Sequence, residues 1–284
     1  MNHRTEEAFR ADIVEVGRRM YARGYVASND GNISIRLDDN TILTTPKSVS
    51  KGFMTADIMV VVDLDGKKIR GTRDASSELL MHLEVYRNRP DVRAVVHAHP
   101  PTATGFAVAG IPLDRAVLAE VITTLGSIPI AEYGTPSTPE LPAAVRKYIK
   151  AHDGLLLANH GALTIGPDVY AAYYKMETIE HFAKISLVTR QLGREHLLSR
   201  AEVERLQQLR GNYGIKAPAP ICADGSERAN VDQAECQIVE APASRARLVP
   251  TDPADLDGEI RLSYRELSAL IEDAVKALLG GQHG

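Results

Sequence analysis

The sequence contains no tryptophan and only four phenylalanines, so it offers little from which to build an aromatic stacking surface. Its two cysteines, Cys222 and Cys236, are too few for a disulfide-built fold and favour a reducing compartment. No run reaches the roughly 18 uninterrupted apolar residues of a membrane-crossing helix. The first residues, MNHRTEEAFRAD, lack the basic-then-apolar pattern of a secretory leader, so a cytoplasmic protein with no membrane partner is expected. Neither charge dominates. The 33 Lys+Arg and 37 Asp+Glu give a net charge of −4, which removes the basic face that a dedicated nucleic-acid binder needs. What is present, 44% hydrophobic and 25% charged residues, is the composition of an ordinary globular chain.

That composition is not uniform. Residues 1–216 are dense in Val, Ile, Leu and Ala and read as one α/β domain, within the usual single-domain size. Beyond them the text becomes rich in Ala, Pro, Asp and Glu. Residues 217–284 carry 6 basic and 12 acidic side chains, net −6, which leaves the first domain with 27 and 25, net +2. A segment with so few large apolar residues cannot offset the entropy of ordering, so 217–258 is expected to be a flexible acidic linker.

Within the domain, helical and strand patterns alternate. Thr5 can cap a helix whose apolar stripe is Phe9, Ile13, Val16 and Met20, and Gly24 can end it. Strands are expected over 32–36, 41–45, 58–63, 93–97, 155–159 and 162–165, with a turn at Asp65-Gly66. Helices are expected over 76–88, 167–192 and 201–209.

The histidines carry the strongest chemical signal. His97 and His99 stand at the end of a β-branched run, and residues two apart on a strand point to the same face. The prolines at 100 and 101 stop that strand. His160 follows another apolar run and precedes Gly161. Three imidazoles on two strand ends can form an open metal site with a fourth place for a carboxylate, water or substrate. Such ligands suit zinc first, with other divalent transition metals also compatible. Taken alone, a His-x-His pair is equally compatible with surface decoration or a hydrogen-bonded core pair.

Other polar clusters are weaker. Ser76-Ser77-Glu78 stands at an expected helix N-terminus, where free N–H groups attract anions, although a simple cap needs the same residues. Ser28 to Asn32 and Thr44 to Ser48 read as small polar turns. His82 lies one helical turn after Glu78 and either orients it or packs in the core. His3, His152, His181, His196 and His283 have no companion motif.

Taken in order, SNDGN, LTTP, SSE, HAH and NHG resemble the class II aldolase/adducin family, and within it the L-fuculose-phosphate aldolases. The resemblance covers about residues 5–216. It implies a three-layer α/β/α fold around a mainly antiparallel sheet, and a four-fold symmetric homotetramer with active sites between subunits. It implies Glu78, His97, His99 and His160 as ligands of one divalent metal, Zn2+ by expectation, with Glu78 also moving a proton when substrate displaces it. Substrate phosphate would meet Asn32, Lys47, Ser48, Ser76 and Ser77. The sequence reads TPKS where the family commonly has TPTG or TPSG, so Lys47 brings a charge in place of a hydroxyl. Asn212-Tyr213-Gly214 resembles a C-terminal TYG whose tyrosine donates a proton in a neighbouring subunit's site.

The activity so implied is cleavage of a phosphorylated ketose, similar to L-fuculose 1-phosphate, to dihydroxyacetone phosphate and an aldehyde such as lactaldehyde. Breaking a C–C bond beside a carbonyl leaves an enediolate, whose charge a chelating divalent ion stabilises without a Schiff-base lysine. Glu120 stands where such aldolases carry a tyrosine. Relatives that epimerise pentulose phosphates or dehydrate methylthioribulose phosphate have an acid in this region, so those reactions stay open, as does a plain surface glutamate. The adducin branch, an assembly module without metal ligands, is the non-enzymatic alternative.

The end of the chain, 259–284, reads as an amphipathic helix. Ser263 and Glu266 can form a capping box, and Leu267, Leu270, Ile271, Ala274 and Leu278 share one face. It either packs on the body or a sister subunit, or docks elsewhere on its tether. In the second case it resembles the peptides that carry enzymes into bacterial microcompartments through shell docking.

Overall fold

The computed structural model describes residues 4–213 and 215; the expected linker over 217–258 and helix over 259–284 lie outside the described residues. The chain begins with helix α1 (Glu6–Ala22), where Thr5 Oγ1 accepts the Ala8 N–H and Glu6 and Glu7 occupy the first turn. Its buried stripe is Ile13, Val16 and Met20, and Gly24 follows the helix with φ +69°.

There follow β1 (Asn32–Arg36), β2 (Thr41–Thr44), β3 (Val60–Asp63), β4 (Lys68–Arg70), α2 (Leu79–Asn88) and β5 (Ala94–Ala98). The second half holds α3 (Pro101–Val108), α4 (Ala119–Thr124), β6 (Ile130–Ala131), α5 (Glu140–Arg146), β7 (Gly154–Leu157), β8 (Gly161–Gly166), α6 (Val169–Gln191) and α7 (Arg200–Leu209). Short 3-10 turns stand at Lys51–Phe53, Ala56–Ile58 and Arg210–Tyr213.

The strands form one eight-stranded sheet in the order β4-β3-β2-β1-β5-β8-β7-β6. Every pairing is antiparallel except β6 with β7. Alternation along the strands supplies two cores. Ala94, Val96 and Ala98 of β5 join α1, α3 and α6 on one face, while Val95 joins Leu155, Leu163 and helices α2 and α5 on the other. Val95 and Val96 are fully buried, and each such side chain contributes on the order of 1.5–3 kcal/mol. The result is the expected three-layer α/β/α architecture with a mainly antiparallel sheet.

Several boundaries depart from expectation. The helix expected over 76–88 starts at Leu79, because the Ser76 N–H donates to the Thr45 carbonyl and so ties residue 76 to the segment that follows β2. The strand expected from 58 starts at Val60, since Ala56–Ile58 forms a 3-10 turn. Helices α3, α4 and α5 and strand β6 had no signal strong enough to be expected. The α3 sequence PTATGFAV, for instance, alternates small and apolar residues without a helical stripe.

Candidate metal centre

The site forms where β1, β5 and β8 end beneath the start of α2. Antiparallel pairing sets Asn32 of β1 opposite His97 of β5, and Ala98 opposite Ala162 of β8. His97 therefore points from the α2 face of the sheet. His99 follows β5, its N–H held by the Tyr25 carbonyl at 2.9 Å. His160 closes the tight β7–β8 connection, with its N–H on the Leu157 carbonyl at 3.0 Å and Asn159 in the left-handed region at φ 55°.

Two glycines allow this convergence. A Cβ at Gly161 would lie 2.5 Å from the Ala98 carbonyl oxygen and 2.6 Å from the His99 ring. A Cβ at Gly31, where φ is +71°, would lie 2.8 Å from the His97 carbonyl oxygen. Only a residue without a side chain lets either backbone approach so closely.

The three rings meet pairwise, with centroids 4.7–5.0 Å apart, and one nitrogen of each falls within 4.8 Å of the others. Glu78 caps the cluster from the start of α2, with its oxygens 3.0 Å from Nε2 of His160 and 3.4 Å from Nε2 of His97. The Asn32 amide donates to Glu78 Oε2 at 2.8 Å. The four residues expected to form a metal site thus do come together.

The donor set fits a cation. Nδ1 of His97 lies 2.9 Å from the Ala162 carbonyl, which can only accept, so the proton sits on Nδ1 and Nε2 presents a lone pair. His99 Nδ1 faces the Asp30 carboxylate at 3.5 Å, which favours the same tautomer. The two Nε2 atoms then confront each other at 3.1 Å as opposed acceptors, an arrangement that calls for a positive ion between them. Burial pushes the His97 imidazole well below its usual range, and burial with the neighbouring His160 lowers His99. Both rings are therefore neutral near pH 7, as ligands must be. Burial works against the charge on Glu78, but His97, His160 and the Asn32 amide outweigh it and hold the carboxyl well below the carboxylate range.

A cavity of about 280 Å³ opens from this cluster. Glu78, His99, His160 and Asn32 line it, and so do Lys47, Ser48, Ser76 and Ser77. The expected anion-binding residues are therefore together, but not as a helix N-terminus. The Ser76 and Glu78 N–H groups are taken by the Thr45 carbonyl and the Ser76 hydroxyl, so the hydroxyls and cations remain as the ligand-facing groups. Asp30, Lys51, Pro136 and Ser137 also line the cavity and were missed. Asp30 belonged to a turn noted only as polar, while Lys51 and the 136–137 turn carry no motif.

Three further residues have a definite place. His82 is fully buried and bonds Ser34 Oγ at 2.7 Å, which in turn lies 2.8 Å from the Tyr86 hydroxyl, so it belongs to a three-residue polar chain between α2 and β1. Glu120 is exposed in the first turn of α4. Tyr213 ends the 3-10 turn after α7, which is fastened to α4 by Arg210 donating to the Ile122 carbonyl at 2.8 Å.

A sequence model of the class II aldolase and adducin N-terminal domain matches residues 11–187. The chain belongs to this family. It is 35% identical over 181 residues to an L-fuculose phosphate aldolase of Methanococcus maripaludis, covering 64% of this chain and 97% of the relative. It is 31% identical over 208 residues to a 3-oxo-tetronate 4-phosphate decarboxylase of Haemophilus influenzae, covering 72% and 98%. Among solved structures, an L-fuculose 1-phosphate aldolase superposes with a TM-score of 0.68 at 27% identity, covering 76% of this chain and 100% of that one. The L-fuculose-1-phosphate aldolase of Thermus thermophilus gives a TM-score of 0.59 at 31% identity, covering 67% and 98%. This is an aldolase-type enzyme of a divalent-metal-dependent family, which sets aside the assembly-module alternative. No helix among the described residues is long and apolar enough to cross a membrane.

Proposed function

We propose that the chain is a zinc-dependent lyase that breaks the C–C bond one carbon removed from the carbonyl of a small phosphorylated keto sugar, with L-fuculose 1-phosphate as the first candidate. The observation that carries this reading is the confrontation of lone pairs at His97 and His99, with His160 and an ionised Glu78 beside them, opening on a cavity with hydroxyls and lysines. His97, His99, His160 and Glu78 would hold the ion. When bound, it supplies a Lewis acid for the negative charge that cleavage leaves beside the carbonyl.

The chain's own residues do the rest. Asn32, Lys47, Ser48, Ser76 and Ser77 receive the phosphate and set the distance between it and the reacting carbons. Glu78 would take or return a proton at the carbon that is left. Tyr213, supplied by a neighbouring subunit of a homotetramer, handles the hydroxyl proton of the aldehyde half, which leaves the hydroxyl in cleavage and is donated back by Tyr213 in the reverse condensation.

A second reading is decarboxylation of a 3-oxo-aldonate phosphate, favoured by the decarboxylase names among relatives at 31–32% identity. The two reactions share their core. Cleaving C3–C4 of a ketose 1-phosphate and expelling CO2 from a 3-oxo-tetronate 4-phosphate leave the same carbanion, that of dihydroxyacetone phosphate. The aldehyde departs only if a base takes a hydroxyl proton; CO2 departs without one.

Incubating the zinc-loaded protein with each substrate and identifying both products separates the readings. Dihydroxyacetone phosphate with lactaldehyde supports the aldolase, and dihydroxyacetone phosphate with CO2 the decarboxylase. A product of unchanged mass means epimerisation and loss of water means dehydration, and either outcome displaces both readings.

Cytoplasmic residence and microcompartment docking through residues 259–284 rest on the sequence pattern alone. Deleting that segment tests the docking role: unaltered tetramer stability with lost co-purification of shell protein supports it, and a large loss of stability assigns the helix to the enzyme body.

A further inference from the structure

We propose that Lys51 is the specificity-determining cation of the cavity, the group that recognises the substrate's phosphate. The inference rests on the sugar-phosphate reading above and adds to it a residue that no motif identifies. Lys51 opens the 3-10 turn Lys51–Phe53 and lines the same cavity as Ser48, Ser76 and Ser77.

Two lysines line this cavity, and they differ in surroundings. Lys47 is exposed, so water screens its charge, whereas Lys51 is 1% exposed. The Lys51 ammonium donates to the Asn29 carbonyl at 3.0 Å and the Val49 carbonyl at 2.6 Å. These are neutral acceptors, and they engage two of its three N–H groups. Among the described residues no carboxylate forms an ion pair with it; Asp30 and Glu78 act on it only from farther away.

A buried ammonium without a counterion is costly, and a cavity wall is where a ligand can supply the missing anion. Burial pushes the Lys51 ammonium down to about 8, so it still carries its charge at neutral pH. Because both carbonyls fix it, no side-chain freedom is lost when an anion arrives. Through Asn29 it also fastens the turn that leads to Asp30 and Asn32, so the anion contact and the metal cluster share a support.

Calorimetric titration of the full-length, zinc-loaded protein with inorganic phosphate at pH 7 tests this. Wild type is expected to bind, and both Lys51→Met and Lys51→Gln to bind about ten- to a hundred-fold more weakly, the usual worth of a charge-assisted contact. Lys47→Met should cost less. Zinc content should stay at wild-type level in all three, and with the true substrate the loss should appear in KM with kcat retained.

Lys51→Gln keeps N–H donors for the two carbonyls, so it guards against a Met variant that fails to fold. Wild-type phosphate affinity in folded Lys51→Gln overturns the proposal, and so does a parallel loss of zinc, which would mark a structural role. If wild type itself binds no phosphate, the failure lies with the sugar-phosphate reading instead.

Discussion

In the metal cluster every polar group but His99 is anchored by a strand residue. His97 is hooked to the Ala162 carbonyl, His99 and His160 are held by their own backbone N–H bonds, and Glu78 is braced by Asn32. Among the expected phosphate contacts, Lys47, Ser48 and Ser77 stand exposed on connecting segments. Strand register fixes atoms far more tightly than a loop can, because each residue is tied to two neighbours. The difference suits the two tasks. An ion demands donor positions good to a few tenths of an ångström, whereas a phosphate with several equivalent oxygens tolerates variation.

The largest effects should come from the metal cluster. Glu78→Gln keeps the shape but removes the charge and the proton acceptor, so turnover of the identified substrate should fall about 10²- to 10⁴-fold. His97→Ala should abolish stoichiometric zinc, measured by atomic emission on purified protein. A His97→Ala protein with full zinc and normal turnover would dissolve the contrast between the two groups.

Next comes the layer beneath. Burial lowers the His82 imidazole to about 4, against the ordinary value of 6.5. Between those values the unfolded chain binds the extra proton, so this contribution to stability is complete above about pH 6.5 and is lost as pH falls towards 4. His82→Gln can still bond Ser34 but does not titrate. Denaturant melts of both proteins at pH 7 and pH 4.5 should show wild type losing up to about 3 kcal/mol more than the variant.

Gly161→Ala places a methyl against the Ala98 carbonyl and the His99 ring. Chelator competition should show zinc affinity reduced about 10- to 100-fold. The smallest change is expected among the loop residues, where Ser77→Ala removes one exposed hydroxyl contact to the phosphate and should raise KM by about two- to ten-fold.

The metal cluster was also the legible part. His97 and His99 announce a shared face through their spacing, and β1 was expected at its observed bounds because NISIR alternates cleanly. Lys51 was invisible, since its meaning arises only when segments near residues 29 and 49 meet around it. Ser76 and Ser77 were misjudged as helix because the hydrogen bond from Ser76 to Thr45 is a long-range event, not written in the local pattern. α3 and α5 were missed for a similar reason: small and apolar residues form helices there because the sheet face needs covering. That the 136–137 turn lines the cavity likewise depends on where the fold carries it.

The hook on His97 is made by a carbonyl of the main chain and not by a side chain. No substitution at position 162 can delete that acceptor; it can only disturb the pairing of β5 with β8. The ring's proton placement is thereby entrusted to the sheet itself, and drift in neighbouring side chains leaves it untouched for as long as the two strands stay zipped.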